Sequence, residues 1–385
     1  MITRSPVWYS PALRMKAGEL EGIGALAPDI AERTLPRMIV PPPSERDETV
    51  EAVLFEADAQ PDVGRALAPV WLNKDILIEP TWILDEFDRS RAGTWLPKMF
   101  ESAWKLGVRA VPLAQARDIL ADDAGAFFAA ANHDADIKLG LVLSSGDLAD
   151  TTLINRVVEA LAHKGLDPKQ CLVTADFHDA DFTQPELVAP VIAGVLDLLT
   201  ASGLWHQIAF QGTNYPEKNP ALAGGYSQIP RNEWIAWRRA VRFDPQTAEH
   251  MIFGDYAADC AQLAFGKAGG RAIPHYRYAT PDAWLVQRGL DKGTHEENMR
   301  KVCMAIVTSG LFAGREFSSA DDHIFLCGHK IAGPGNAKNW RAINTTHHIT
   351  RVVADIGTVR GVEFARKTVT PVGIQTGLFL DNPVA

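Results

Sequence analysis

Cysteine is scarce in this 385-residue chain: Cys171, Cys260, Cys303 and Cys327 are the four, widely spaced and never in a CxxC pair. That spacing argues against a disulfide framework and matches no standard zinc finger, so reduced and mostly buried thiols are expected. Apolar runs are short as well. None approaches the ~18 uninterrupted apolar residues of a membrane span, and the start, MITRSPVWYSPALRMKAGELE, has no apolar core of signal-peptide length. A cytoplasmic protein without a membrane partner is predicted. Basic charge is in deficit, with 38 Lys and Arg against 47 Asp and Glu for a net charge of -9, which disfavours a broad nucleic-acid surface. The motifs GxxxxGK[ST], GxSxG and HExxH are all missing, which removes the P-loop, serine-hydrolase and zincin readings. No GxGxxG follows the first predicted strand, which weakens a dinucleotide-binding fold.

What the chain does have is an ordinary globular composition, 46% hydrophobic and 22% charged, enough to bury a large core. Short apolar segments at 8–15, 34–40, 75–84, 109–113, 137–143, 171–175, 206–210 and 250–253 read as strands. Most are apolar on both faces, as in a parallel sheet covered on both sides. Helical patterns fall at 19–26, 45–57, 95–106, 124–131, 151–164, 185–202 and 231–242. In the last of these, Trp234 and Trp237 are read as packing and Arg238, Arg239 and Arg242 as solvated. Eight βα units in this length predict an α/β fold, a (β/α)8 TIM-type barrel, over an open doubly wound sheet. An aromatic hairpin and a helical tail (296–309, 346–356) extend it. The whole of 1–385 is taken as one domain, with 270–345 a hairpin-and-loop elaboration of the eighth unit.

Working residues in a barrel sit where strands end. Those positions hold Lys16, Glu79, Ser144, Ser145, Asp176, Gln211 and Asp255. Lys16, Asp176 and Asp255 are the predicted catalytic residues. The carboxylates could act as base or hold Mg²⁺ or Mn²⁺, and the lysine could neutralise a phosphate. Gly254 is expected to make a sharp turn that exposes Asp255 and Tyr256. Tyr256, Arg277, Tyr278, Arg288 and His348 are the predicted substrate-binding residues, since an arginine in an aromatic strand needs a partner and its planar fork suits phosphate or carboxylate. The competing reading is structural pairing of Arg277 or Arg288 with Asp255 or Glu79. His178 beside Asp176 is a further candidate. His347 and His348, adjacent on a helix, point too far apart to share one ion, and no metal-ligand set is assigned.

Several stretches resemble a prokaryotic and phage group, the beta family proteins: YSPALRMKAGELEGIGAL, IVPPP, FGDY, HYRYATPDAWLVQRG and GNAKNWRAINTTHHI, in that order along nearly the whole chain. The resemblance brings no catalytic residue or substrate with it. It implies an association with phages and with mobile or anti-phage defence loci. Two functions therefore stay open. One is an enzyme acting on an anionic small molecule or nucleotide, its phosphate clamped by Arg and Lys. The other is a non-catalytic binding module with a protein partner from a phage or defence locus.

Overall fold

The computed structural model describes residues 7–42, 46, 61–121, 124–242, 251–257, 259–261 and 273–372. In chain order the strands are β1 (Ala12–Arg14), β2 (Arg37–Ile39), β3 (Asp75–Glu79), β4 (Arg109–Gln115), β5 (Leu139–Ser144), β6 (Cys171–Asp176), β7 (Gln207–Gln211), β8 (Tyr226–Pro230), β9 (Met251–Ile252), β10 (His275–Ala279) and β11 (Ala283–Arg288). The helices of at least eight residues are α1 (Ala17–Gly24), α2 (Ala92–Lys105), α3 (Thr151–His163), α4 (Pro185–Ser202), α5 (Asn232–Ala240), α6 (His295–Val307), α7 (Ser319–Gly328) and α8 (Ala337–Arg360), with shorter turns between. The predicted helix 45–57 lies outside the described residues apart from Arg46.

Strands β1 to β7 and then β9 form one eight-stranded parallel sheet in that order. The sheet curls, and the alternation of side chains along each strand fixes what faces each way. In β6, Cys171, Val173 and Ala175 join the large core under the helices, whereas Leu172 points inside the curl. The inner cluster collects one or two residues per strand, among them Leu77, Val111, Leu113, Val142, Leu172, Ala209 and Ile252. At its seam Tyr9 bridges Thr34 on one side and Phe253 on the other, both in parallel sense. The amides of Ser10 and Ala12 donate to Phe253 O and Asp255 O, each at 2.8 Å. Gly254 sits in this seam, where a Cβ would meet Phe210 O at 2.6 Å and Ser10 O at 2.7 Å. Its glycine is needed for close backbone approach.

The tail docks through a second close contact. α8 runs alongside α1, and Cβ atoms at Gly18 and Gly22 would lie 2.7 Å from Lys338 O and from the Thr345 side chain. Thr346 Oγ1 donates to Gly22 O at 2.9 Å. Two of the stretches that carry the family resemblance, KAGELEGIG and AKNWRAINTTHH, are thus the two faces of one helix contact. The hairpin is as predicted, β10 antiparallel to β11.

Four differences from the sequence reading have plain causes. Pro80 lacks an N–H, so β3 stops at Glu79 and residues 81–86 turn into a helix. β8, outside every strand predicted above, pairs with β11 on an exposed edge, where apolar patterning is weak. The segment around Asp321 and Cys327, between the two predicted tail helices, is α7, capped by Ser318. α8 starts nine residues early because Asn336 caps it through a reciprocal bond with Asn339. α4 is the one helix among the described residues with the length and composition of a membrane span. It buries Ala189, Ile192, Leu196 and Leu199 on one face and packs beside α5.

Candidate functional site

At the carboxyl ends of the strands the inward positions turn polar. Two residues beyond Leu35, Leu77, Leu113 and Val142 come Arg37, Glu79, Gln115 and Ser144; four beyond Leu172, after the inward Thr174, comes Asp176. These five, with Thr81, His178 and Tyr256, line a cavity of about 300 Å³. The apolar interior is its floor.

Arg37 organises the cavity. Its Nε donates to Glu79 at 2.9 Å and its NH1 to Asp176 at 2.8 Å, all three side chains being nearly buried. The Tyr256 hydroxyl donates to Asp176 at 3.1 Å. Burial alone would resist ionisation of Asp176, but Arg37 and His178 outweigh it and hold the carboxyl below its usual range. Burial, reinforced by Asp176, pushes the Tyr256 phenol well up, so it stays a donor. His178 reaches the same carboxylate from outside. Its amide donates to Asp176 Oδ1 at 3.1 Å and its Nδ1 lies 3.6 Å from that atom. The imidazole stays 44% exposed. Its pKa is raised, chiefly by the adjacent Asp176 carboxylate and against the effect of burial. A half-open imidazole oriented by a buried carboxylate can take up and release a proton at the cavity wall.

The other predicted site residues lie elsewhere. Gly254 does not expose Asp255 and Tyr256: the first is fully buried and the second nearly so, because the turn points Asp255 to Tyr9 and His348 in the sheet seam and Tyr256 onto Asp176 at the mouth. Asp255 accepts from Tyr9 Oη, from Ala257 N at 2.8 Å and from His348 Nε2 at 2.7 Å. Trp284 Nε1 donates to His348 Nδ1 at 3.3 Å. An indole nitrogen can only donate, so Nδ1 is bare and His348 is a neutral imidazole. Burial likewise lowers its pKa, while Asp255 stays ionised against burial because His348, Tyr9 and Arg231 stabilise it. Arg277 pairs with Asp259 at 2.8 Å over the Tyr215 ring. Arg341 bridges Asp259 and Glu19 beside it. Lys16 begins α1 near Glu19 and does not line the mouth cavity. Tyr278 donates to Asp321 at 2.7 Å and stacks on His347. Arg288 holds Asp291 and Ala221 O at the rim of the small sheet. Of the predicted catalytic and substrate-binding residues the mouth therefore unites Asp176 and Tyr256, joined there by the strand-end candidates Glu79 and Ser144 and by His178.

Arg37, the residue that ties the mouth together, was not among those predicted. Its signal was present: a guanidinium at an inward position of the apolar strand TLPRMIV needs carboxylates opposite. Among the described residues no group of three or more His, Cys, Asp or Glu side chains is set to hold a metal ion. At the mouth Arg37 fills the place between Glu79 and Asp176 that a divalent cation would take.

Compared with protein families, the chain matches the model described as Beta protein over residues 9–354. It belongs to that family. The match starts at the seam residue Tyr9 and runs into α8, so it takes in the mouth and the docked tail alike. No curated protein matches the chain.

Proposed function

We propose that this Beta protein family member is a closed (β/α)8 barrel whose working site is the mouth around Arg37, Asp176, His178 and Tyr256, where a small polar ligand exchanges a proton with His178. Closure is supported by Tyr9, which bridges the first and last strands of the sheet. One observation carries the site: His178, half open to the cavity, is aligned by a carboxylate that Arg37 and Tyr256 hold in place. The charge balance argues for the ligand. Among the described residues Glu79, Asp147 and Asp176 line the cavity against Arg37 alone, so even a protonated His178 leaves an acidic surplus there. A neutral polyhydroxy compound or a cation suits that field better than the anion predicted from sequence. The reaction would be proton abstraction from, or donation to, a hydroxyl or carbon acid by the imidazole.

The test is ring-nitrogen NMR of His178 during titration with polyols, amino sugars, polyamines and sugar phosphates. Shifts from a hydroxylated or cationic ligand, whose affinity by isothermal titration falls about tenfold or more in His178→Gln, support the reading. Silence across the panel, or binding by the phosphates alone, overturns it. The second reading, a non-catalytic module for a protein partner, is favoured by the arginines away from the mouth. Arg231, Arg277 and Arg341 are all tied to carboxylates of the chain itself.

A further inference from the structure

A second cavity among the described residues lies at the far end of the layer. α1 starts beside the mouth, and its last turn, with the loop into Ile30, forms one wall. α8, running parallel to α1, forms the floor, and the segment 362–367 forms the roof over about 790 Å³. The roof is held by backbone chemistry. Gly361 adopts a left-handed conformation, φ 68°, that turns the chain back at the end of α8. Val362 N donates to Gly357 O at 2.8 Å and Gly361 N to Thr358 O at 3.3 Å. Phe364 covers Gly357, where a Cβ would lie 2.6 Å from its ring, and meets Trp8 edge-on. Further along, Lys367 N donates to Glu316 O at 2.8 Å.

The floor and one end differ in chemistry. Thr346, Thr350, Ala354 and Thr358 recur every fourth residue on α8, and the three hydroxyls donate back to helix carbonyls. That floor offers mainly carbon. At the Phe317 end, Arg351 and Arg366 both lie over the ring, at 4.8 Å and 5.7 Å. Arg351 holds Asp355 at 2.6 Å, but Asp355 also takes Arg231 at 2.7 Å, so one carboxylate serves two guanidiniums. Arg351 Nε is buried with no partner among the described residues. Arg366 donates to a neutral acceptor, Ala313 O. Asp29 and Glu363 also line the cavity, but neither is paired with these two arginines.

We propose that this cavity binds a small amphipathic anion, its carboxylate or phosphate head on Arg351 and Arg366 and its chain along the threonine floor. The volume lies in the ligand-pocket range of roughly 300–1,000 Å³, and an arginine pair suits an oxyanion. The site is separate from the mouth and does not rest on the function proposed for it.

The test is isothermal titration of the full chain with octyl phosphate and with decanoate, each below its micelle concentration, and with octanol and inorganic phosphate as half-ligands. The expected result is saturable binding of one or both amphiphiles, about tenfold or more tighter than either half-ligand. Preference between the two amphiphiles names the head group. Arg366→Gln should weaken that binding about tenfold, and Thr358→Trp, an exposed position at the cavity wall, should block it while the circular dichroism spectrum and Tm hold. Equal binding of inorganic phosphate, unchanged binding in both variants, or no binding of either amphiphile overturns the proposal.

Discussion

Three aspartate–histidine pairs use the same two side chains and reach three different states. Asp255 and His348 meet at 2.7 Å with both side chains fully buried. Asp321 and His347 meet at 3.0 Å, also sealed. Asp176 and His178 are 3.6 Å apart, and only here is the imidazole open. In the first pair an indole N–H fixes the histidine as neutral. In the second, His347 faces Asp321 on one nitrogen and Ala279 O on the other. Both are acceptors, so both nitrogens are satisfied only when each carries a proton. In the third, solvent and carboxylate compete for the ring. The composition of a pair therefore says little about its work. What its nitrogens face, and whether anything outside can reach them, decides between a structural tie and a proton-exchanging group.

The comparison breaks first at its sealed end. Asp255→Ala leaves Tyr9 Oη, His348 Nε2 and Ala257 N as buried donors without an acceptor. Urea denaturation should show a loss of about 3–5 kcal/mol, the range for breaking a buried pair. An unaltered midpoint would return Asp255 to the catalytic role expected from sequence. Asp321→Asn should follow at about 2–3 kcal/mol, since the amide still accepts from Ser318 or Tyr278 but no longer matches a charged His347. A loss as large as that of Asp255→Ala would mean the two sealed pairs are equivalent.

The next effect is a slope with pH. Glu233 is fully buried, accepts from Asn214 N at 3.0 Å, and has no partner at Oε1 among the described residues. Burial, aided by the nearby charge of Asp255, pushes its pKa from 4.5 up to about 8. Below pH 4.5 both folded and unfolded chains keep the proton. Between 4.5 and about 8 the unfolded chain releases it and the folded chain does not. The contribution of Glu233 to stability thus falls as pH rises through that window and is lost above it. Glu233→Gln should flatten the slope and raise stability at pH 7.5 by about 1–3 kcal/mol, measured by denaturation at several pH values. A steeper slope in the variant would sink the assignment.

Much of this fold was legible because parallel strands covered on both sides announce themselves as apolar runs, and all eight strands of the parallel sheet were found on that signal. β8 was not, since an edge strand facing solvent has no such pattern. The mouth was half legible. Strand ends pointed to Asp176 and Glu79, but Arg37 lay inside a strand, where counting alternate residues from Leu35 would have placed it. Gly254 was singled out for the wrong property: the seam needs its missing Cβ, whereas an exposed turn was inferred. Arg277 and Arg288 drew notice as arginines in strands, and the partners that neutralise them, Asp259 and Asp291, were close in sequence but unreadable as neighbours until the loops around the small sheet were placed.

The smallest stability effect belongs to the open pair, and it sharpens the comparison most. His178 has its pKa raised, chiefly by the Asp176 carboxylate beside it. Below pH 6.5, its ordinary value, the ring is charged in both folded and unfolded chains and its attraction to Asp176 is fully present. That contribution fades as pH rises through the folded-state value. With the ring half exposed, solvent screening keeps it under about 1 kcal/mol. His178→Gln should therefore leave urea stability nearly unchanged at pH 8 and cost a little at pH 5.5. In the native chain the His178 ring resonances should titrate above 6.5, and His348 should show no titration before the protein unfolds. If His178 were silent, or His348 titrated in the folded state, the division between working and structural pairs would fail, and the mouth would lose its claim to be the site where protons move.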